Sequence, residues 1–133
     1  MAPRRALVVD GDWKIRRLIR TNLEAYGLEV SEASDGKGCL QALEGGGCDL
    51  VLLGAQLPDG NGWNLVQHLR RKAVRPEVPI IMIVTDPVDS RLLRRFPRIS
   101  QLLKPFSACT LLQAVDEALS IRRIQATGGA KKG

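Results

Sequence analysis

The stretch VLLGAQLPDG, residues 51–60, decides the fold class of this chain. Its first half is an uninterrupted apolar run, which is typical of a parallel strand buried on both faces. Its second half contains Pro58 and Gly60, which favour a turn. In an open parallel sheet the functional loops follow the carboxyl ends of the strands, so Gly54 lies where we expect chemistry. Glycine has no side chain with which to perform that chemistry.

Apolar patterning on either side of this stretch predicts an alternation of strands and helices. Short apolar or alternating runs predict strands at residues 6–9, 28–33, 50–53, 80–84 and 99–103. Apolar spacings of three and four residues predict helices at 13–26, 37–44, 63–74, 88–96 and 107–123. The predicted apolar face of the first helix consists of Ile15, Leu18, Ile19, Leu23 and Tyr26. We expect Trp13 to pack at the start of this helix and Arg16 to lie on its solvated side.

This order predicts one doubly wound α/β domain, in which helices cover both faces of a parallel sheet. We expect the domain to span residues 1–126, with a core of 4–122. The Gly- and Lys-rich residues 127–133 have nothing to pack, so we expect a disordered tail there.

The composition of the 133-residue chain is that of an ordinary globular protein, with 44% hydrophobic and 26% charged residues. An apolar run of about 18 residues, long enough to span a membrane, does not occur in the sequence. We therefore expect no membrane association and a cytoplasmic location. Cys39, Cys48 and Cys109 are odd in number and lack metal-ligand spacing, so we interpret them as free thiols in a reducing compartment.

The formal net charge of +6 favours acidic partners. It also favours nonspecific attraction to nucleic acid. The sequence contains no helix-turn-helix, zinc-finger or RNA-binding signature, so specific nucleic-acid binding is not expected.

Five motifs in this sequence resemble the receiver domain of bacterial two-component response regulators. They are Val8-Val9-Asp10, Asp49 to Leu53, Leu57 to Gly62, Pro79 to Met82 and Lys104-Pro105-Phe106. The resemblance implies a flavodoxin-like (βα)5 fold with strand order 2-1-3-4-5. It also implies a signalling domain rather than an enzyme, and one that needs no bound cofactor.

The resemblance further implies a particular chemistry. Receivers accept a phosphoryl group from a histidine kinase on an aspartate after the third strand, and a pair of acids after the first strand helps to bind Mg²⁺. A Thr or Ser after the fourth strand and a Lys after the fifth contact the phosphoryl oxygens. Clustered carboxylates hold the cation, which neutralises the charge of the phosphoryl group. The lysine adds a second positive charge.

Transferred to this sequence, the pattern fails at its centre. The acceptor position is Gly54, and the two acid positions are Asp10 and Gly11. Asp12 lies one residue further on and is, with Asp10, a weak candidate metal ligand, although we interpret it as a helix cap. Since positions 11 and 54 carry no carboxylate, we expect no bound metal.

Three further positions of the pattern follow the fourth strand or belong to the fifth. The hydroxyl position is Val84 if the fourth strand is aligned without a gap, and Thr85 if that strand is one residue longer. Lys104 is retained, and we expect its ammonium group to pair with the buried carboxylate of Asp10. The usual aromatic residue, three positions before the lysine, is replaced by Gln101.

The segment between the fourth and fifth strands is rich in arginine and shorter than is usual in receivers. We therefore predict that helix four is short, reoriented or partly unwound. In receivers the face formed by helix four, strand five and helix five is the usual dimer or partner surface. The candidate residues on this face are Arg91, Arg94, Arg95, Arg98 and Gln101. A solvated basic surface is the alternative interpretation.

Three functional hypotheses follow. The first is a pseudo-receiver that works without phosphorylation and binds a histidine kinase, an output domain, another signalling protein or a second copy of itself through this face. The second is binding of a small ligand or anion in the pocket emptied at Gly11 and Gly54, beside Lys104. The third is a conventional regulator that is phosphorylated on a displaced acid such as Asp59, which we otherwise interpret as a turn residue.

Overall fold

Seven strands and five helices make up the part of the chain that the computed structural model describes, which is residues 3–72, 78–96 and 98–126. In chain order they are β1 (Arg5–Val9), α1 (Trp13–Ala25), β2 (Glu29–Ala33), α2 (Gly36–Glu44), β3 (Leu50–Gly54), β4 (Gln56–Leu57), β5 (Gly60–Asn61), α3 (Gly62–Lys72), β6 (Ile80–Val84), α4 (Ser90–Arg94), β7 (Ile99–Leu103) and α5 (Ala108–Ala126).

Five of these strands form one parallel sheet in the order β2-β1-β3-β6-β7. Because β6 and β7 are the fourth and fifth strands of the predicted alternation, the predicted order 2-1-3-4-5 and the flavodoxin-like α/β fold are confirmed. At the carboxyl edge, Gly54 is in register with Ile83 of β6. This edge brings the ends of β1, β3, β6 and β7 together.

The two central strands β3 and β6 are buried over their whole length. Leu52 packs with the core cluster that includes residues of α1 and α5, whereas Leu53 packs with residues of α2 and α3 on the other face of the sheet. A strand covered on both faces needs apolar residues at every position, which is why these segments are continuous apolar runs. Burial of each such side chain contributes roughly 1.5–3 kcal/mol.

The connection from β3 to α3 contains a small antiparallel ribbon that the sequence analysis interpreted as a loop. In this ribbon β4 pairs with β5, and Gly60, the first residue of β5, has a positive φ of 154°. The amide of Gly62 donates to the carbonyl of Ala55 at 2.9 Å. A Cβ atom on Gly62 would clash with the carbonyl oxygen of Gly54, so α3 starts directly against the end of β3.

Helix α4 has five residues, and none of them is buried. The predicted helix at 88–96 is therefore shorter than expected from periodicity, and the prediction of a short helix four is confirmed. Asp89 caps its first turn, since its side chain accepts a hydrogen bond from the amide of Arg91 at 2.8 Å.

Two predictions about α1 need correction. Its predicted apolar face included Leu18 and Tyr26, which are 44% and 48% exposed, whereas Ile19 and Leu23 are buried. Spacings of three and four residues select a wider set of apolar positions than the part of the helix surface that packs against the sheet. Trp13 was expected to pack at the helix start, but it is 57% exposed.

Cys39 and Cys48 are buried and Cys109 is exposed, and all three are free thiols, as predicted. Burial raises the pKa of the Cys39 thiol to about 12, so it stays protonated at neutral pH. Within the described ranges, no helix has the length and apolar character needed to cross a bilayer. The predicted end of the third helix at 73–74 and the predicted tail at 127–133 lie outside the described residues.

Candidate functional site

A pocket of about 190 Å³ lies at the carboxyl edge of the sheet, where the sequence predicted the site. The ends of β1, β3, β6 and β7 all contribute to its wall. Its lining residues are Asp10, Gly54, Ala55, Gln56, Trp63, Ile83, Val84, Thr85, Asp86, Val88 and Lys104. The fold thus brings together several of the candidate positions that the sequence indicated.

Asp10 is the buried acid of this pocket. It follows β1 directly and is only 4% exposed. Its Oδ1 accepts a hydrogen bond from the amide of Asp12 at 2.8 Å, and its Oδ2 lies 3.5 Å from the ammonium of Lys104. The predicted pairing of Asp10 with Lys104 is therefore present. Among the described residues, Oδ2 has no hydrogen-bond partner besides this ion-pair contact.

Gly54 ends β3 and faces the carboxylate of Asp10. A side chain at this position would begin 3.0 Å from Oδ2 of Asp10 and 3.4 Å from the carbonyl oxygen of Val9. Real Cβ atoms rarely approach other atoms this closely, so the Asp10 carboxylate occupies part of the space that a side chain at position 54 would need. The pocket therefore contains one buried carboxylate and one ammonium, which largely offset each other's charge.

Gly11 and Asp12 stand beside the pocket but do not line it. A Cβ atom on Gly11 would lie 3.0 Å from Cγ and Cδ of Pro58, so the turn after β4 covers this position closely. Asp12 is the N-cap of α1, since its Oδ1 accepts from the amide of Lys14 at 2.9 Å. This confirms the interpretation of Asp12 as a cap. Across the described ranges, no group of three or more His, Cys, Asp and Glu side chains is placed so that it could hold a metal ion.

Val84 and Thr85, the two alternatives for the hydroxyl position, both line the pocket. Val84 is the last residue of β6 and is buried, and its carbonyl accepts from the amide of Lys104 at 2.8 Å. Thr85 follows the strand and is exposed. Strand β6 thus has the five predicted residues and is not one residue longer, which favours Val84 over Thr85 for the hydroxyl position. Val84 has an apolar side chain there.

Asp59 lies in the turn between β4 and β5 and does not line the pocket. Its carboxylate binds the start of α2, where Oδ1 accepts from the amide of Gly36 at 2.8 Å and Oδ2 from that of Lys37 at 3.1 Å. These two hydrogen bonds, first that from Gly36, lower the pKa of the Asp59 carboxyl. The interpretation of Asp59 as a turn residue holds, and its further role is to anchor α2.

Several residues contribute to the site although the sequence did not predict them. Asp86 is a second acidic side chain on the pocket wall, exposed at the rim. Its position directly after a parallel strand was a signal that could have identified it. Arg16 was assigned to the solvated side of α1, but its Nη1 donates to the carbonyl of Asp10 at 2.7 Å and its Nε to Glu32 at 2.9 Å. No pattern in the local sequence indicates those two partners.

The residues predicted for the partner surface divide into two groups. Arg91, Arg94 and Arg95 are exposed, and Arg91 forms an ion pair at 3.1 Å with Asp89, the N-cap residue of the same helix. Arg98 and Gln101 are only partly exposed. Arg98 has a positive φ of 58°, and Gln101 accepts a hydrogen bond from the amide of Val88 at 2.8 Å. Three arginines therefore make up the freely accessible part, which we call the α4 basic surface.

Comparison with known families agrees with this geometry. The sequence model of the response regulator receiver domain matches residues 6–116. The chain therefore belongs to the response regulator receiver domain family, the domain through which two-component response regulators receive their signal.

Among curated relatives, the chain is 29% identical to the phosphate regulon transcriptional regulatory protein PhoB of Escherichia coli K12, over 91% of this chain and 53% of that protein. It is 34% identical to the transcriptional regulatory protein GltR of Pseudomonas aeruginosa, over 93% of this chain and 51% of that protein. The chain thus spans about half the length of the curated relatives it matches.

Solved structures show the same fold. The chemotaxis response regulator CheY4 of Vibrio cholerae superposes with a TM-score of 0.82 at 25% identity, covering 89% of this chain and all of that one. NtrX of Brucella abortus superposes with a TM-score of 0.84 at 26% identity, covering 95% of this chain and 29% of that one.

Proposed function

We propose that this receiver domain acts without aspartyl phosphorylation, as a protein-interaction module of cytoplasmic two-component signalling. The observation that carries the proposal is Gly54 at the end of β3, with the Asp10 carboxylate in the space beside it. Glycine cannot form an acyl phosphate. The carboxylate that lies beside Gly54 belongs to Asp10, and it is already paired with Lys104.

The charges of the pocket support the same proposal. Mg²⁺ binds in proteins through one or two carboxylates together with waters and substrate phosphates. Here the one buried carboxylate already faces an ammonium at 3.5 Å, position 11 contributes no acid, and the other acid of the lining, Asp86, is exposed at the rim. A cation would have to displace Lys104 from Asp10, so we expect the affinity for Mg²⁺ to be low.

Incubation with acetyl phosphate and Mg²⁺, followed by intact-mass measurement, tests the absence of phosphorylation. We expect no gain in mass. A Mg²⁺-dependent gain of one phosphoryl group located on an aspartate of the unaltered chain would contradict the proposal. An established receiver run in parallel confirms that the phosphodonor is active.

The variant Gly54→Asp provides the matched comparison. It places a second carboxylate against Asp10, and two carboxylates at this distance resist simultaneous ionisation. We expect a lower melting temperature that Mg²⁺ partly restores, because the cation now has two acids to bind. The unaltered protein should show no such response to Mg²⁺. Equal responses of both proteins would mean that the cation binds elsewhere.

The α4 basic surface is the proposed partner surface, because it presents exposed positive charge at Arg94 and Arg95. The double variant Arg94→Glu with Arg95→Glu should weaken binding of a cognate histidine kinase or output domain. It should weaken self-association by light scattering if the partner is a second copy. Lys14→Glu with Arg17→Glu on α1 alters net charge equally and serves as control. If both double variants bind equally well, the surface is misassigned.

The two alternatives have less support. Both oxygens of Asp59 are bound to the start of α2, away from the pocket, which makes it a poor phosphoryl acceptor. An anion in the pocket would have to compete with Asp10 for Lys104. A rise in melting temperature with inorganic phosphate, abolished by Lys104→Met, would favour the anion-binding alternative over ours.

A further inference from the structure

Helix α4 carries Arg91 and Arg94, and Arg95 is its C-cap, yet the helix is not fixed by burial of a side chain in the core. It has five residues and no buried side chain. An isolated helix this short is unstable in water, because its few hydrogen bonds do not offset the free-energy cost of helix nucleation. Contacts made at the two ends of α4 therefore matter for its placement.

The contact at the amino end is made by Gln101. Its Oε1 accepts a hydrogen bond from the amide of Val88 at 2.8 Å, one residue before the N-cap Asp89. Gln101 lies in β7, in register with Met82 of β6, so the acceptor belongs to the rigid sheet. The side chain of Val88 packs against the core cluster between the sheet and α3. The start of α4 is thereby tied to the sheet through both the backbone and a side chain.

The contact at the carboxyl end is an aromatic pair. Phe96 lies two residues after the last residue of α4, and its ring centroid is 6.0 Å from that of Trp63, with 33° between the ring planes. Pairs at this separation attract each other beyond the area they bury. Trp63 is the second residue of α3, so this end of α4 is tied to a different element from the first.

We propose that Gln101 and the Trp63–Phe96 pair form a two-point clamp that positions α4, and that Gln101 is a positioning residue for the α4 basic surface. Both contacts also reach the pocket, because Val88 and Trp63 are among its lining residues. The clamp holds the arginines in place with no phosphoryl group at position 54. The role of the clamp in partner binding rests on the proposed function, whereas the clamp itself can be tested without any partner.

Hydrogen exchange of backbone amides, measured by NMR, tests the first contact. In Gln101→Met, which keeps the bulk but removes the acceptor, we expect the Val88 amide to exchange roughly fivefold faster or more, the factor of one average hydrogen bond. Gln101→Glu retains an acceptor and should stay close to the unaltered protein. Gln113→Met on α5 makes the same chemical change on an exposed residue, which lines with Gln101 a surface pocket between β7 and α5, and it should leave Val88 unchanged.

The second contact is tested through fluorescence. A Trp13→Phe background leaves Trp63 as the one tryptophan of the chain. In that background, Phe96→Leu should shift the emission of Trp63 and speed exchange of the α4 amides. Combining it with Gln101→Met should speed α4 exchange more than either change alone. Exchange is expressed relative to the amides of β3, so that any loss of global stability is separated from release of the clamp.

Unchanged protection of Val88 in Gln101→Met, or unchanged protection of α4 in the combined variant, would overturn the clamp. This outcome is distinct from failure of the proposed function, which would appear as phosphoryl uptake. Where a partner is in hand, Gln101→Met should weaken its binding although every arginine is retained, and Gln101→Glu should bind nearly as well as the unaltered protein.

Discussion

Strand β3 and helix α4 are each five residues long, but the fold holds them in opposite ways. Every residue of β3 is buried, and the strand pairs with β1 on one side and β6 on the other. Helix α4 buries no residue, and it is tied through Val88 at one end and Phe96 at the other. Burial fixes the first element, and a few specific contacts fix the second.

This difference separates the residues that specify the receiver fold from the residues on which the proposed function rests. The buried strands give the receiver fold, and they leave little freedom for change because each side chain fills space on one face of the sheet. The proposed function instead rests on residues at the end of β3 and beyond it, at Gly54 and along α4. A change there alters chemistry or a surface without altering the fold.

The comparison is tested most strongly by removing side-chain volume from each element. Leu52→Ala in β3 should lower the free energy of unfolding by about 3 kcal/mol, since it leaves a cavity in a fully buried core. Leu93→Ala in α4 should cost less than about 1 kcal/mol, because that side chain is only partly buried. Urea unfolding measures both. Similar losses for the two variants would mean that α4 contributes to the core after all.

The second test concerns the close approach of α3 to the end of β3. Gly62→Ala should lower the free energy of unfolding by about 2 kcal/mol, because the new Cβ meets the carbonyl oxygen of Gly54 and the backbone must move. The control is Gly45→Ala at the end of α2, where a Cβ makes ordinary contacts and φ is −76°. We expect the control to remain within about 0.5 kcal/mol of the unaltered protein. Equal destabilisation of the two would show that the clash is relieved at little cost.

The Asp10–Lys104 pair tests a site that is buried but polar. Lys104→Met should cost about 1–2 kcal/mol, less than a fully buried pair because the lysine side chain is 29% exposed. The double variant Asp10→Asn with Lys104→Met should recover part of this loss, since it leaves no unpaired charge. A double-mutant cycle by urea unfolding measures the coupling. Strict additivity would mean that the two groups do not interact in solution.

The smallest expected effect is the pH dependence of Asp59, a tether of α2 comparable to the clamp of α4. Backbone hydrogen bonds lower the pKa of its carboxyl in the folded state. It therefore contributes stability above its unfolded pKa of about 4, and this contribution is lost as the pH falls through the lower folded value. Asp59→Asn should flatten the stability curve below about pH 4. Glu44→Gln, an exposed carboxylate on α2, is the control and should leave the curve's shape nearly unchanged.

The sequence by itself determined the order of the elements and which residue stands at each predicted site position. Apolar runs and spacings specify burial locally, which is why β3 and β6 were predicted to within a residue. The spacing of five motifs was enough to assign residues 10, 11, 54 and 104 to positions of the receiver pattern. The same reasoning misplaced Trp13 and Tyr26, because periodicity does not say how much of a helix the sheet covers.

Only the tertiary structure decided which groups surround Gly54 and which contacts flank α4. Asp10 meets Gly54 across β1 and β3, Asp59 reaches α2, and Gln101 reaches Val88, each from a distant part of the chain. These contacts depend on side-chain directions fixed by packing, and no local pattern encodes them. Hydrophobic periodicity can be seen within one short stretch of sequence. These polar contacts form only when the fold brings two remote segments together.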